Sequence, residues 1–243
     1  MTSPADEAQT AAHDIIARAQ AVGAGGDVEI TALETALQTA VTGPAAVASP
    51  ADLDGLMAAA GARVEALEQL RQIVPDELVK AAAELVEIEE LVEKATATLE
   101  LARTEVGARP DLVGPPDLQA AGDQSLGPWL ARLQALAEAG DWEAAGAGLS
   151  GWSVAADACM AAAREAEEAN AAPLARQNEL RALLEAYRAK VGNRGRDEDG
   201  RVDRLYQECR DILYTAPCDV ERADALVQEY MGAADAAVPE AKR

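Results

Sequence analysis

Two long stretches of this chain place apolar residues on alternating spacings of three and four. In the first, Leu53, Met57, Ala60, Val64, Leu67, Val74, Leu78, Ala81, Leu85, Ile88, Val92, Ala95, Leu99, Ala102 and Val106 keep one phase, with Arg71 as a polar member. The second carries Trp152, Ala156, Cys159, Ala163, Ala166, Asn170, Pro173, Gln177, Leu180, Leu184, Tyr187 and Val191. A repeat of this kind predicts long helices that pack along seams.

A proline lies inside each stretch, Pro75 in the first and Pro173 in the second, and neither shifts the phase. Proline inside a helix removes one backbone hydrogen bond and kinks or breaks it. A new helix starting at Pro75 would put Val74 at the N-cap, a position valine fills poorly. Pro75-Asp76-Glu77 does resemble a helix first turn, but Ile73-Val74-Pro75-Asp76 has no Gly or Asn to reverse the chain. The expectation is one kinked, continuous helix from Ala51 to Val106, about 80 Å long at 1.5 Å per residue. The second long helix is expected from Ser150 to Val191, roughly 60 Å.

Shorter elements flank these two. Ser3-Pro4-Ala5-Asp6-Glu7 reads as a capped helix start, and the helix should stop at Gly23. Ile30, Leu33, Leu37 and Val41 form the stripe of a second helix ending before Gly43-Pro44, so residues 1–43 predict a helical hairpin. Ser49-Pro50-Ala51-Asp52 opens the first long helix by the same cap logic. Residues 107–128, with Pro110, Pro115, Pro116 and several glycines, read as a linker or functional loop. Two short helices, Pro128 to Ala139 and Asp141 to Leu149, should follow as a single hairpin ahead of the second long helix, the group covering 129–191. Gly192-Asn193 and a polar loop from Arg194 to Gly200 precede a C-terminal hairpin within 192–238, its helices striped by Val202, Leu205, Tyr206, Cys209, Ile212, Leu213 and by Val220, Ala223, Leu226, Val227, Tyr230. Residues after Val238 read as a disordered tail.

The two long helices are expected to pair antiparallel. A parallel pair would force the connection to return along nearly the whole first helix. The fold class expected is therefore all-α: an elongated helical bundle built on a long antiparallel coiled-coil hairpin, with short flanking hairpins.

Composition supports helices over a thick core. Apolar residues make up 49% of 243, yet aromatics are 3% and phenylalanine is absent, so alanine carries much of the total. Alanine favours helix and buries little area, which lets axes approach near the low end of about 8–10 Å. The net charge is −22, from 43 acidic against 21 basic residues. That field repels phosphate backbones and anionic headgroups, and suits a basic partner or simply keeps the chain in solution. No apolar run reaches the roughly 18 residues of a spanning helix, and Met1 to Gln9 lacks the basic and apolar order of a secretory signal. Three cysteines without framework spacing fit a reduced, cytoplasmic compartment.

Chemistry-bearing clusters are sparse. His13 has no histidine partner, so neither a metal site nor a catalytic base is expected there. Gly148-Leu149-Ser150-Gly151-Trp152 starts like a nucleophile elbow but has Trp152 at the second outer glycine and no preceding strand. Asp197-Glu198-Asp199-Gly200 fails as a calcium loop, because Gly195 and Tyr206 occupy ligand positions. Arg188, Lys190, Arg194, Arg196, Arg201 and Arg204 form a basic cluster that either clamps an acidic or phosphorylated peptide, or has Arg188 and Lys190 complementing a helix C-terminus while the rest pair with Asp197, Glu198, Asp199 and Asp203. Cys218 precedes a predicted helix N-terminus, where a thiolate is favoured, and is the candidate reactive thiol beside the alternative of a buried turn cysteine. Trp129, Trp142 and Trp152 are expected to anchor the short helices. No catalytic, metal or cofactor-binding residue is assigned.

Leu183-Leu184-Glu185-Ala186-Tyr187-Arg188-Ala189-Lys190, Leu205-Tyr206, Leu213-Tyr214-Thr215-Ala216-Pro217-Cys218-Asp219 and Ala225-Leu226-Val227-Gln228-Glu229-Tyr230 resemble a helical module of actinobacterial proteins associated with serine/threonine-kinase and forkhead-associated-domain signalling. The resemblance spans about a fifth of the chain and implies an accessory or scaffold role without catalytic residues. The functional expectation is a non-enzymatic adaptor that binds protein partners. A thiol switch at Cys218 and self-assembly through the seams stand as alternatives.

Overall fold

A computed structural model describes residues 4–42, 50–192 and 200–237. Among them the chain forms α1 (Pro4–Ala21), α2 (Val28–Thr42), α3 (Pro50–Glu105), α4 (Leu126–Glu138), α5 (Trp142–Gly192), α6 (Gly200–Tyr214) and α7 (Val220–Ala237). A short 3-10 turn at Gly122–Gln124 precedes α4, and there is no strand among the described residues. The bundle is all-α, and the two long helices α3 and α5 pack together. The expected caps Ser3 and Ser49, the loop from Arg194 to Asp199 and the C-terminal tail lie outside the described residues.

Pro75 and Pro173 both lie inside continuous helices, as the unbroken register required. The seam residues Ala60, Val64, Leu67, Val74, Leu78, Ala81, Ile88, Ala95, Leu99 and Ala102 are buried on α3. On α5, Trp152, Ala156, Ala163, Ala166, Asn170, Gln177, Leu180, Leu184 and Val191 are buried. A helix can hold its phase across a proline because side-chain packing on the seam outweighs the lost backbone bond.

The chain divides into two compact units, Met1–Val86 with Leu118–Ala156, and Glu87–Asp117 with Asp157–Arg243. In the first unit, α1 and α2 form a hairpin whose Ala12, Ala19, Val22, Ile30, Leu33 and Leu37 pack on Ala60, Val64 and Leu67 of α3. α1 is also tied to α3 by Arg18–Glu68 at 2.6 Å and by Arg71 Nη1 donating to the Ala21 carbonyl at 3.0 Å. The turn after α1 and the turn after α4 share one construction. Gly23 (φ +81°) and Gly140 (φ +84°) take the left-handed conformation that glycine reaches without strain. The next amide closes each helix end, Ala24 N–H to the Ala19 carbonyl at 2.8 Å and Asp141 N–H to the Leu136 carbonyl at 2.9 Å.

The pairing of α3 with α5 is parallel, which corrects the antiparallel expectation. In the first unit, Arg63 pairs with Glu143 at 2.5 Å, and Gly146 faces Leu70 and Val74 further along both helices. In the second unit, Lys94 pairs with Glu167 at 3.2 Å and Glu105 with Arg181 at 3.9 Å, again ascending together. The return path that made this pairing look costly is built into the chain. Past the end of α3, the backbone of Val113 is held by Asn170, which accepts its N–H at 2.9 Å and donates to its carbonyl at 2.8 Å. In the first unit, α4 runs back against α3: Gly127 lies beside Leu85, while Ala139 and Gly140 border Arg63 and Leu67. The Pro/Gly-rich connection and α4 together carry the chain back.

A second correction concerns α5, expected as a short helix to Leu149 followed by a long one from Ser150. It is continuous from Trp142 to Gly192. Gly146, Gly148 and Gly151 are helical residues against which neighbours press. A Cβ on Gly148 would stand 2.2 Å from Leu133 Cδ2, and one on Gly151 3.3 Å from the Trp129 ring. Glycine here weakens the isolated helix by about 1 kcal/mol each relative to alanine, and allows α4 to lie against the α5 backbone.

The second unit is an α5–α6–α7 up-down-up bundle joined by the end of α3. Its core holds Ala102, Val106, Leu180, Leu184, Leu205, Cys209, Leu213, Val227 and Tyr230. Arg188–Asp203 at 3.3 Å and Arg176–Asp224 at 2.7 Å set α6 antiparallel and α7 parallel to α5, with Lys190–Asp235 at 2.5 Å at the other end of α7.

Candidate functional site

The basic cluster is committed to acidic partners wherever it is described. Arg188 bonds Asp203 and stacks over the Tyr206 ring at 4.6 Å. Lys190 bonds Asp235 and lies 4.7 Å from the Tyr187 ring centroid. Arg201 reaches Glu229 at 3.5 Å and Arg204 reaches Glu208 at 4.0 Å. Arg194 and Arg196 lie outside the described residues. The pairs of Arg188, Lys190 and Arg201 knit α5, α6 and α7 together, while Arg204–Glu208 stays within α6.

Cys218 is 1% exposed, in the turn before α7. Its backbone N–H donates to the Glu105 carbonyl at 2.7 Å, closing the end of α3. Burial pushes the thiol up from its ordinary value, and a hydrogen bond from Gln177 offsets that only in part. A reactive cysteine needs the opposite, an accessible site that favours the thiolate. Cys209, in the core, is pushed up to about 11 by burial and by Glu208 and Glu229. The Cys218 environment is therefore that of the turn cysteine weighed against the reactive one.

Gln177 and Arg181 explain part of this turn. Gln177 Nε2 donates to the Leu213 carbonyl at 3.2 Å, and Arg181 donates to the same oxygen through Nε at 2.9 Å and Nη2 at 2.7 Å. They satisfy a carbonyl that the end of α6 leaves without a helical partner. The polar seam positions thus fix other parts of the chain, Asn170 the loop at Val113 and Gln177 the end of α6.

His13 is exposed, with Nδ1 2.7 Å from the Gln9 carbonyl. Ser150 of the elbow-like segment sits within α5, where a strand-to-helix turn would be needed. Trp152 is the buried member of the tryptophan set, its Nε1 donating to the Leu126 carbonyl at 2.9 Å. Trp129 and Trp142 are partly exposed.

A surface the seam pattern does not mark lies in the first unit. Along α3, Leu70, Ile73, Val74 and Ala81 line a groove of about 420 Å³, whose far wall is Gly146, Leu149, Ser150, Trp152 and Ser153 of α5. Glu77, Lys80 and Glu84 border it. Ile73 is 55% exposed at the rim of this groove. Lys80 is bound to Glu77 at 2.7 Å, so this cation is matched on its own helix. Val79 and Val86, also exposed on α3, stand off the seam. The signal in the sequence is an apolar residue outside the heptad phase: Ile73 directly precedes the seam valine Val74.

Among the described residues no helix is long and apolar enough to cross a membrane. No protein-family model, curated protein or solved structure matches the chain.

Proposed function

We propose that this chain is a non-catalytic helical adaptor that offers helix faces to protein partners. The observation that carries this reading is the groove between α3 and α5 of the first unit, where Ile73 stands half exposed beside Leu70, Val74 and Leu149. Scattered surface apolar residues are ordinary, whereas apolar side chains converging on one concavity mark contact surfaces. The net charge of −22 disfavours phosphate backbones and favours basic protein segments. Three free thiols fit a reducing, cytoplasmic setting. The kinase-linked context rests on the resemblance carried by residues of α5, α6 and α7. A thiol switch at Cys218 has burial against it.

The test is crosslinking and co-purification from the native host with wild-type protein and Ile73→Glu. The adaptor reading expects partners that wild type retains and the variant loses by at least about tenfold, as for a contact residue near the centre of an interface. An identical set from both proteins, or none above an untagged control, overturns it.

A further inference from the structure

The acidic peptide that the basic cluster suits is present in the chain itself. Helix α7 carries Glu221, Asp224, Glu229 and Asp235 against one basic residue, Arg222. Each of those acids meets a cation outside α7. Arg109, in the connection after α3, reaches Glu221 at 3.2 Å, and Arg201 of α6 reaches Glu229 at 3.5 Å. From α5, Arg176 reaches Asp224 at 2.7 Å and Lys190 reaches Asp235 at 2.5 Å. The buried stripe of α7 is Val220, Ala223, Val227, Tyr230 and Ala234, on spacings of three and four. Alanine and valine fill the rest of that stripe, so Tyr230 is its one large anchor.

That anchor is the weak point of the fit. Tyr230 is 0% exposed, its ring lies 6.0 Å from that of Tyr206, and its hydroxyl has no hydrogen-bond partner among the described residues. Tyr206 beside it does find one, its hydroxyl donating to Glu185 at 3.3 Å. A buried hydroxyl without a partner loses the hydration it has once exposed. The ion pairs that tie α7 to its neighbours are partly exposed, individually weak and screened by salt. Opening of α7 alone therefore returns water to Tyr230 and breaks only weak pairs, while uncovering a stripe made mostly of small side chains.

We infer that α7 is a releasable latch: it fills, within the chain, a groove of the second unit that takes an acidic amphipathic helix, and a partner helix with an anchor lacking the Tyr230 hydroxyl displaces it. The helix now in place defines that partner. It needs acids about three turns apart for Arg176 and Lys190, as Asp224 and Asp235 are, and phenylalanine or leucine between them at the anchor. The net charge of −22 opposes an acidic helix at long range, but that repulsion is screened beyond about 8 Å at physiological ionic strength, so the local cations decide the contact. The latch does not involve Ile73 and goes beyond the adaptor reading, so failure of either leaves the other intact.

The probe is a fluorescein-labelled peptide of residues 219–237 carrying Tyr230→Phe, titrated with the full-length protein and read by anisotropy. The control peptide has the same sequence with its partnered acids changed to lysine. Native-state hydrogen exchange follows α7 directly, and its amides should exchange at least about tenfold faster than those of α6 in wild type. Two protein variants move the latch in opposite directions. Tyr230→Phe keeps the ring and removes the orphan hydroxyl, so α7 should exchange, and the peptide bind, at least about fivefold less readily. Asp224→Ala with Asp235→Ala removes two ion pairs, so α7 should exchange about three- to tenfold faster and the peptide bind tighter by the same factor. Four results each overturn the inference: α7 and α6 exchanging together in wild type, both variants shifting binding in one direction, equal binding of the lysine peptide, or no binding at millimolar protein. So does a dimer in sedimentation that grows with concentration and that Tyr230→Phe abolishes, since the occupant would then be α7 of a second copy.

Discussion

The two compact units use the same long helices in opposite ways. In the second, the flanks of α5 are spent on internal contacts: Arg176 goes to Asp224, Arg181 to the Leu213 carbonyl, Arg188 to Asp203 and Lys190 to Asp235. In the first, the α3 flank beyond Arg63 turns apolar and acidic side chains into a groove. One heptad seam underlies both. What differs is the polarity of the positions beside the seam, and whether a neighbouring helix supplies their partners. Cations that reach carboxylates on other helices close a face, whereas Lys80 pairs with Glu77 along α3 itself and Ile73 beside them stays half exposed.

The contrast can be broken most strongly at Trp152. Trp152→Ala should cost about 3–5 kcal/mol, because it removes the largest buried side chain and the donor to the Leu126 carbonyl. Urea denaturation checks it, and hydrogen exchange should show the loss concentrated in α4 and the start of α5. Protection of α6 and α7 falling by the same amount would mean that the units do not respond separately.

Asn170→Ala tests the second unit's use of polar seam residues. With both bonds to Val113 gone, stability should fall by about 1–3 kcal/mol, the usual cost of leaving backbone groups unsatisfied. The Val113 amide should lose exchange protection more than its neighbours do. An unchanged rate at Val113 would show that the clamp does not hold the connection.

Alkaline titration sharpens the reading of the core thiols. Cys209 sits at about 11 against an ordinary thiol near 9. The folded state therefore holds its proton to higher pH than the unfolded chain. The resulting stabilisation is complete below about pH 9 and lost as pH rises through 11. Wild type should lose stability relative to Cys209→Ala across that window, as followed by denaturant midpoints. Cys218 should alkylate at neutral pH only as fast as the turn opens.

The smallest effect is expected at Arg63. Its guanidinium holds Glu143 below the ordinary glutamate range, so this contribution is present above about pH 4.5 and disappears as pH falls through the lowered value. Arg63→Gln should lower Tm by a degree or two at pH 7 and converge with wild type in acid, as expected for half-exposed pairs. A difference persisting at pH 3 would assign the effect to packing of the arginine stem.

The seams were legible because burial in a helix leaves a period: the phase runs through Pro75 and Pro173, and most residues on it are buried, Arg71 being an exposed exception. Direction was not legible. A heptad pattern reads alike from either end, and the preference for a short connection pointed the wrong way. The return path was hidden in an uncapped start at Ser125 and in a Val113 clamp made by one side chain 57 residues away. The continuity of α5 through Gly146, Gly148 and Gly151 was not legible either, because what presses on Gly148 and Gly151, Leu133 and Trp129, is a tertiary contact. Arg188 goes to Asp203 on α6, where the sequence pointed it at a helix C-terminus. Lys190 with Asp235, 45 residues on, was not legible.

Parallel pairing also sets a timetable for synthesis. Arg63 meets Glu143 across 80 residues, a separation that an antiparallel hairpin would avoid near its turn. At about 5–20 residues per second, the ribosome needs roughly 4–16 s between the two. Throughout that interval the α3 seam that α5 will cover is exposed on a nascent chain. Contacts of such high order slow folding and lengthen exposure to aggregation. Ala60, Ala81, Ala95 and Ala102 keep part of that stripe small, while its leucines, valines and isoleucine are what the wait leaves uncovered.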